Sequence, residues 1–303
     1  MPRKDIEFKT HDNVTLRGWL YTPSSGSGKA PCLVMAHGFS AVKEMDLDTF
    51  AEYFTSKLNL VCLVYDNRGF GSSDVKDGHP LYEINPNEQV SDYSDAITYA
   101  QTLPEVDADK IGVWGSSYSG GHVLVVGAID RRVKIVLSQV PLVTGLGNFS
   151  ALVRSDVRPQ MDQMFMDDRL ARFAHKDPVR IPVVDENPQA PSALPTSDSY
   201  QFFQAWGKKS PWKNDVTLKS MEMLRAYEPV AYIHRISPTP LLMTVERNDV
   251  LTPSQLALDA YSKALEPKQL QILPGGHFDA YSGPTFESNA GTQAEFLKKH
   301  LGV

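Results

Sequence analysis

A serine in this chain stands between an apolar run and a stretch of helical periodicity. The run Ile111–Trp114 ends in the segment Gly-Ser-Ser-Tyr-Ser-Gly-Gly, whose third residue is Ser117. A serine on a sharp strand-to-helix turn exposes its hydroxyl for nucleophilic attack, and the strained turn tolerates only small residues two places before and after it. Gly115 and Ser119 occupy those places, so Ser117 is the predicted nucleophile.

Two neighbouring serines are alternative nucleophiles. Centring the turn on Ser116 puts the bulky Trp114 in a small slot, and centring it on Ser119 leaves no glycine in front. A purely structural turn of small residues is a further alternative for this motif.

A serine hydroxyl needs a histidine to accept its proton and a carboxylate to hold that histidine in the correct tautomer. In enzymes with this turn the chain order is serine, acid, histidine. Asp249 follows the apolar run Leu241–Val245 and is the predicted acid, although Glu246, Asp259 and a simple turn-capping role for Asp249 are alternatives.

The predicted base is His277, which follows the late apolar run Gln269–Leu273 and two glycines. Those glycines let a loop bring the imidazole back across the sheet. No other histidine follows a late strand in this way.

Acyl transfer passes through a tetrahedral oxyanion that backbone N–H groups stabilise. The N–H of Tyr118, directly after the nucleophile, is the first predicted donor. The second is the N–H of Phe39, with Gly38 allowing the backbone to turn that amide inward. A plain strand-ending turn is the alternative for His37-Gly38.

The elements that must position these residues alternate along the chain. Residues 5–9 and 14–21 predict an antiparallel hairpin, and a Ser/Gly-rich linker runs from Pro23 to Lys29. Short apolar runs then predict strands buried on both faces: 32–36, 60–65, 111–114, 133–137, 241–245 and 269–273. Helical periodicity lies at 47–58, 90–103, 120–128, 254–264 and 293–301. This alternation predicts an α/β fold with a mostly parallel central sheet, helices on both faces, and ligands at the carboxyl ends of the strands.

The alternation of predicted strands and helices breaks once along the chain. This break predicts a helical cap inserted between two strands of the sheet. We expect a core formed by residues 1–145 and 229–303 and a cap formed by residues 146–228. Six Met and aromatic residues of the cap are candidates for an apolar substrate pocket, or alternatively for cap packing: Met161, Met164, Phe165, Phe202, Phe203 and Trp206.

Composition excludes several classes of partner. The net charge is −6, from 30 basic and 36 acidic residues without a basic stripe, so nucleic acid is not expected. No apolar run reaches the roughly 18 residues of a membrane span, and the N-terminus does not resemble a signal peptide, so we expect a cytoplasmic protein without a membrane partner.

Cys32 and Cys62 lie inside apolar strand runs and are expected to be core residues. No metal is expected, since no group of residues has the spacing of metal ligands. No cofactor is expected either. The sequence is compatible with a homodimer.

Five segments together resemble the α/β-hydrolase superfamily: "MAHGF", "YDNRGFGSSD", "GVWGSSYSGGH", "VERNDVLTP" and "PGGHFD". Within it, "GFSAVKEM", "AIDRRVK" and the segment from Ile84 to Gly120 resemble a dienelactone-hydrolase-like group that includes fungal polyketide acyltransferases. This resemblance covers residues 1–145 well and only the triad loops thereafter. It implies the same triad and the same oxyanion donors.

Dienelactone hydrolases proper use a cysteine nucleophile, and neither cysteine of this chain falls at the turn, so their substrate is not expected here. The first hypothesis is a serine hydrolase that cleaves a carboxyl ester, lactone or thioester through an acyl-enzyme, with a small-molecule acyl substrate. The alternatives are an acyltransferase that passes a polyketide-like acyl group to an alcohol, and a non-catalytic binding protein.

Overall fold

Apolar runs rich in Val, Ile and Leu form the central sheet, as predicted. The computed structural model describes residues 3–23 and 28–303, so most of the predicted linker and the first two residues lie outside the described residues. The described strands are β1 (Arg3–Lys9), β2 (Thr15–Tyr21), β3 (Ala30–Ala36), β4 (Val61–Tyr65), β5 (Val106–Ser116), β6 (Val133–Gln139), β7 (Arg180–Ile181), β8 (Val216–Thr217), β9 (Leu241–Glu246) and β10 (Lys268–Leu273).

Eight of these strands form one sheet in the order β1-β2-β4-β3-β5-β6-β9-β10. The predicted N-terminal hairpin, β1 with β2, is antiparallel, and β2 joins the sheet antiparallel to β4. All other neighbours are parallel. The mostly parallel sheet is therefore confirmed, and the carboxyl ends of β3, β5, β6, β9 and β10 meet at one edge.

Helices cover both faces of the sheet. The described α-helices are α1 (Leu47–Lys57), α2 (Pro86–Thr102), α3 (Tyr118–Ile129), α4 (Gly145–Leu152), α5 (Arg158–Phe173), α6 (Ser197–Gly207), α7 (Leu218–Arg225), α8 (Ser254–Lys263) and α9 (Phe286–Leu301). Alternate side chains of each strand enter opposite cores. Leu63 packs in the core that α2, α3 and α8 cover, whereas Cys62 and Val64 pack in the core that α1 and α9 cover.

Helix α9 begins seven residues before the predicted start at Gln293. Its first turns carry the polar residues Glu287, Ser288 and Asn289, so apolar residues do not repeat there with helical periodicity. Asn289 is nevertheless buried, because it bonds to other polar groups beneath the sheet edge.

Four α-helices, two short 3₁₀ helices and a small ribbon lie between β6 and β9. The ribbon pairs β7 with β8 antiparallel, and the proline-rich stretch 178–195 runs between α5 and α6. The division into a core (1–145 and 229–303) and a cap (146–228) stays a prediction. Among residues 3–23 and 28–303, none of the helices has both the length and the apolar composition that crossing a membrane requires.

Candidate active site

Ser117 occupies a strained turn between β5 and α3. Its backbone has φ 59° and ψ −117°, a region that L-residues rarely adopt. The end of β6 and the segment after it hold this turn: the Ser117 N–H donates to the Gln139 carbonyl at 2.9 Å, and the Ser117 carbonyl accepts the Leu142 N–H at 2.9 Å. A Cβ on Gly115 would lie 2.1 Å from the Ser119 carbonyl oxygen, which explains the small residue at that place.

Three predicted residues come together at the edge of the sheet in a continuous hydrogen-bonded chain. The Ser117 Oγ lies 3.0 Å from His277 Nε2, and His277 Nδ1 lies 2.7 Å from Asp249 Oδ2. The side chains of His277 and Asp249 are each 1% exposed, so little water competes for these contacts. With Nδ1–H donating to the carboxylate, Nε2 presents its lone pair to the serine hydroxyl.

The carboxylate of Asp249 is fully engaged. Its Oδ1 accepts the N–H groups of Leu251 and Thr252 at 2.9 and 2.8 Å, and its Oδ2 accepts the Thr252 hydroxyl at 2.8 Å as well as the His277 Nδ1–H. Thr252 was not singled out from the sequence. A threonine three residues after Asp249 and directly before Pro253 is not a distinctive sequence pattern. Its contacts become visible only in the folded loop.

The alternative nucleophiles bond elsewhere. The Ser116 Oγ lies 2.6 Å from the Tyr281 hydroxyl, and the Ser119 hydroxyl donates to the His37 carbonyl. Both serines are buried, and neither is hydrogen-bonded to His277.

The alternative acids bond to groups other than the histidine ring. Asp259 accepts the side-chain amide of Gln255 within α8. One oxygen of Glu246 accepts the Gly275 N–H at 2.7 Å, while its other oxygen is buried without a hydrogen-bond partner among the described residues. Burial raises the pKa of Glu246 to about 7.

The turn after β3 lies directly against Ser117. A Cβ on Gly38 would lie 2.7 Å from the Ser117 Cβ and 2.9 Å from the Ser116 carbonyl. The φ of Gly38 is outside the left-handed region, so no unusual backbone angle requires a glycine here. Glycine is required because two segments of backbone touch here.

His37, which the sequence placed only in a turn, fixes this loop. Its Nδ1 accepts the Gly38 N–H at 2.8 Å, and its Nε2 donates to the Met45 carbonyl at 2.8 Å. Burial lowers the pKa of His37 to about 3, so the ring is neutral and can accept at Nδ1 while donating at Nε2. The next residue, Phe39, packs edge-to-face on Tyr118 with ring centroids 5.7 Å apart.

A cavity of about 310 Å³ opens beside Ser117. Phe39, Tyr118 and Thr252 line it from the sheet edge. Most of the remaining wall comes from α4, α5, α7 and the proline-rich stretch, and is largely apolar: Leu142, Phe149, Leu152, Val153, Val157, Met161, Met164, Ile181, Pro188, Pro191, Leu194, Leu218, Met221 and Leu224.

The six predicted pocket residues divide into three groups. Met161 and Met164 line the cavity. Phe202 and Phe203 line a second, much smaller space next to His277. Phe165 and Trp206 line neither space: Phe165 is buried against Phe149, and the ring of Trp206 packs under the Lys209 ammonium at 4.0 Å.

In the described part of the chain, no three His, Cys, Asp or Glu side chains are grouped so that they could hold a metal ion. Cys32 and Cys62 are both free thiols buried in the core. They belong to the cores on opposite faces of the sheet.

Comparison with known proteins agrees with this architecture. Residues 33–287 match the model of a family described as the alpha/beta hydrolase family. A polyketide transferase (grgF) of Penicillium sp. is 32% identical over 99% of this chain and 98% of its own length. A thiohydrolase of Eupenicillium brefeldianum is 34% identical over 99% of this chain and 96% of its own. The crystal structure of the alpha/beta hydrolase GrgF from Penicillium sp. sh18 matches with a TM-score of 0.87 at 31% identity, and covers 100% of both chains.

Proposed function

The chain belongs to the alpha/beta hydrolase family, and we propose that Ser117, His277 and Asp249 are the catalytic triad with which it cleaves carboxyl esters, lactones or thioesters. The observation that carries this proposal is the continuous chain from the Ser117 hydroxyl through His277 to Asp249, with contacts of 3.0 and 2.7 Å. That arrangement supplies a nucleophile, a base and an orienting acid in one place.

The first half-reaction forms an acyl-enzyme. As the Ser117 Oγ bonds to the substrate carbonyl carbon, its proton moves to His277 Nε2, and the charge of the imidazolium is balanced by Asp249. When the tetrahedral intermediate collapses, the bond from carbon to the leaving oxygen or sulfur breaks, and His277 returns the proton to that leaving group.

We assign the oxyanion hole to the backbone N–H groups of Phe39 and Tyr118. Both residues line the cavity together with Ser117, and the close approach of Gly38 to Ser117 supports a position of the Phe39 amide beside the nucleophile. Each such donor contributes about 3 kcal/mol of transition-state stabilisation.

The second half-reaction releases the acid. Water attacks the acyl carbon while His277 Nε2 takes its proton, and collapse returns that proton to Ser117. We propose that residues 146–228 act as a cap whose apolar wall holds the acyl chain, with Met161 and Met164 as adaptable contacts. The similarity to a thiohydrolase supports thioesters as substrates.

Acyl transfer is the second candidate. The similarity to a polyketide transferase favours it, and an alcohol in place of water needs no further protein group. An assay with a thioester plus candidate alcohols separates the two, because transfer yields a new ester and hydrolysis yields the free acid. A non-catalytic binding role has no support from a site in which all three triad positions are filled and in contact.

The triad is tested with p-nitrophenyl esters of rising chain length, lactones and acyl thioesters. Ser117→Ala should lower kcat/KM at least about a thousandfold while the fold is retained. Ser116→Ala and Ser119→Ala are the matched controls from the same turn. A fluorophosphonate should label the wild type and both controls at Ser117, which peptide mass spectrometry locates; labelling at either neighbour would move the nucleophile.

For the setting of the reaction, we propose a cytoplasmic protein that needs no cofactor or metal. Cell fractionation tests the compartment, and light scattering on the purified protein tests whether it forms a homodimer.

A further inference from the structure

Helix α6 and the loop after it differ from the rest of the segment between β6 and β9. None of residues 197–212, all of which the structure describes, lines the large cavity. Aromatic side chains of this stretch pack instead on the oxyanion loop (residues 37–40) and on the histidine loop (residues 274–281). We propose that residues 197–212 position both loops for catalysis, Trp212 by holding the oxyanion loop and Phe202 by holding the histidine loop. This inference rests on the proposed triad and oxyanion hole, and it adds two positioning residues on which their alignment depends.

The contact with the oxyanion loop is a hydrogen bond. The indole N–H of Trp212 donates to the Ser40 hydroxyl at 3.3 Å, and both residues are buried. In the part of the chain that the structure describes, that hydroxyl has no other hydrogen-bond partner. Ser40 directly follows Phe39, whose N–H is the proposed oxyanion donor, so the indole holds the loop one residue away from that amide.

The backbone of Ser40 needs such support. Its φ is 56°, in the left-handed region that serine rarely adopts. A residue in this conformation is strained and persists only where its surroundings fix it. Trp212 is itself fixed, because its ring packs on Phe203 of α6 with centroids 4.9 Å apart. Release of Ser40 would let the strained turn relax and displace the Phe39 N–H.

The contact with the histidine loop is a stack of aromatic rings. Phe202 stacks on Phe278 with centroids 4.3 Å apart and an angle of 20° between the planes. Phe278 directly follows His277, and their rings meet edge-to-face at 4.9 Å. His277 Nε2 must remain near the Ser117 Oγ, now 3.0 Å away, and small displacements of a reacting group lower the rate steeply.

The location of these contacts distinguishes positioning from general packing of the cap. Each contact falls on the residue that directly follows a catalytic group. Since residues 197–212 do not line the cavity, a change there should slow all acyl chain lengths alike. Loss of a whole oxyanion donor slows turnover by about a hundredfold to a thousandfold, so we expect about tenfold for a donor that is displaced but still present.

The first test removes the hydrogen bond from either side. Trp212→Phe keeps a ring but has no N–H, and Ser40→Ala removes the acceptor. Each should lower kcat for p-nitrophenyl butyrate about tenfold with KM within twofold of the wild type. The double variant should be no slower than the slower single variant, because both substitutions remove the same bond, whereas independent effects would multiply to about a hundredfold. Trp19→Phe is the matched control, a buried indole on β2 that packs under the Arg3 guanidinium, and it should keep kcat.

The second test removes the stacked ring. Phe202→Leu should lower kcat about tenfold at nearly constant KM, while Phe202→Tyr keeps the ring and should keep kcat. Phe286→Leu is the control, since Phe286 is also half-buried but packs on Phe50 in the core that α1 and α9 cover. In every variant the order of p-nitrophenyl acetate, butyrate and octanoate should stay that of the wild type.

Two results would overturn the inference. One is a kcat within twofold of the wild type in folded Ser40→Ala or Phe202→Leu protein, even where Tm falls. The other is a double variant of Trp212 and Ser40 whose losses multiply. Failure of the proposed function looks different, because hydrolysis of p-nitrophenyl butyrate by the wild type would then be absent or would survive Ser117→Ala.

Discussion

The close approach of Gly38 to Ser117 allows a sharp test of the proposed oxyanion hole. In Gly38→Ala the new Cβ would lie 2.7 Å from the Ser117 Cβ, about 0.7 Å inside the 3.4 Å where ordinary contact begins. It would also lie 2.9 Å from the Ser116 carbonyl. Ser117 cannot retreat easily, because its N–H and carbonyl are bonded to Gln139 and Leu142.

The loop must therefore move, and with it the Phe39 N–H. Loss of one oxyanion donor costs roughly 2.7–4 kcal/mol of transition-state stabilisation, which slows turnover by about a hundredfold to a thousandfold. Overpacking of this kind also costs about 1–3 kcal/mol of folding stability. We expect a folded enzyme with a slightly lower Tm and turnover at least about a hundredfold slower than that of the wild type.

The assay measures kcat and KM for p-nitrophenyl butyrate, Tm, and the rate of fluorophosphonate labelling. Gly291→Ala is the matched control, because a Cβ at this half-buried position of α9 meets only the Tyr53 hydroxyl at 3.5 Å. It should leave kcat unchanged. A folded Gly38→Ala protein with kcat within threefold of the wild type would refute the assignment of the Phe39 amide to the oxyanion hole.

Three further predictions concern the acid, the buried glutamate and the cavity wall. Asp249→Asn should slow turnover by about 10⁴-fold because the wrong histidine tautomer is favoured, whereas Glu246→Gln should cost less than tenfold; the reverse order would exchange their roles. Burial raises the pKa of Glu246 to about 7, so the folded protein keeps a proton that the unfolded chain releases near pH 4.5. The stabilisation by protonated Glu246 is therefore fully present below about pH 4.5 and is lost as pH rises to 7. Urea unfolding should give a lower free energy of unfolding at pH 8 than at pH 5, and Glu246→Gln should make this difference smaller. Met161→Ala and Met164→Ala should change the preferred acyl length by about 1–3 kcal/mol in relative kcat/KM with little change in Tm. Phe165→Ala should instead cost about 3–5 kcal/mol of stability and leave the order of substrates unchanged, and unaltered selectivity in both methionine variants would contradict this division.

The sequence predicted that Ser117, Asp249 and His277 lie close together because each follows its own strand. Ser117, Asp249 and His277 come after β5, β9 and β10, whose carboxyl ends share an edge. Strand periodicity and chain order are local properties, and together they predict that the three side chains are close. Packing of helices against both sheet faces was predictable for the same reason.

Contacts between distant segments were not predictable in this way. Met164 and Phe165 are neighbours on α5, yet the first lines the cavity and the second packs against Phe149. Composition does not distinguish the two residues, since both are large and apolar. The direction of each side chain depends on how α4, α5 and α7 pack.

The strain at Ser117 requires support from the far end of the chain. A residue held at φ 59° costs about 1–3 kcal/mol and persists only where its surroundings fix it. Below the turn, Gln139 accepts amide hydrogens from Asn289 and Gln293 of α9 at 2.8 and 2.9 Å, and its own Nε2 donates to Ser116.

This network anchors β5 and β6 on the side of the sheet that α9 covers, whereas the cavity wall comes largely from the segment between β6 and β9. The groups that hold the nucleophile are thus mostly separate from those that contact the acyl chain. Substitutions in α5 and α7 can therefore change the shape of the cavity while the strained turn at Ser117 stays in place.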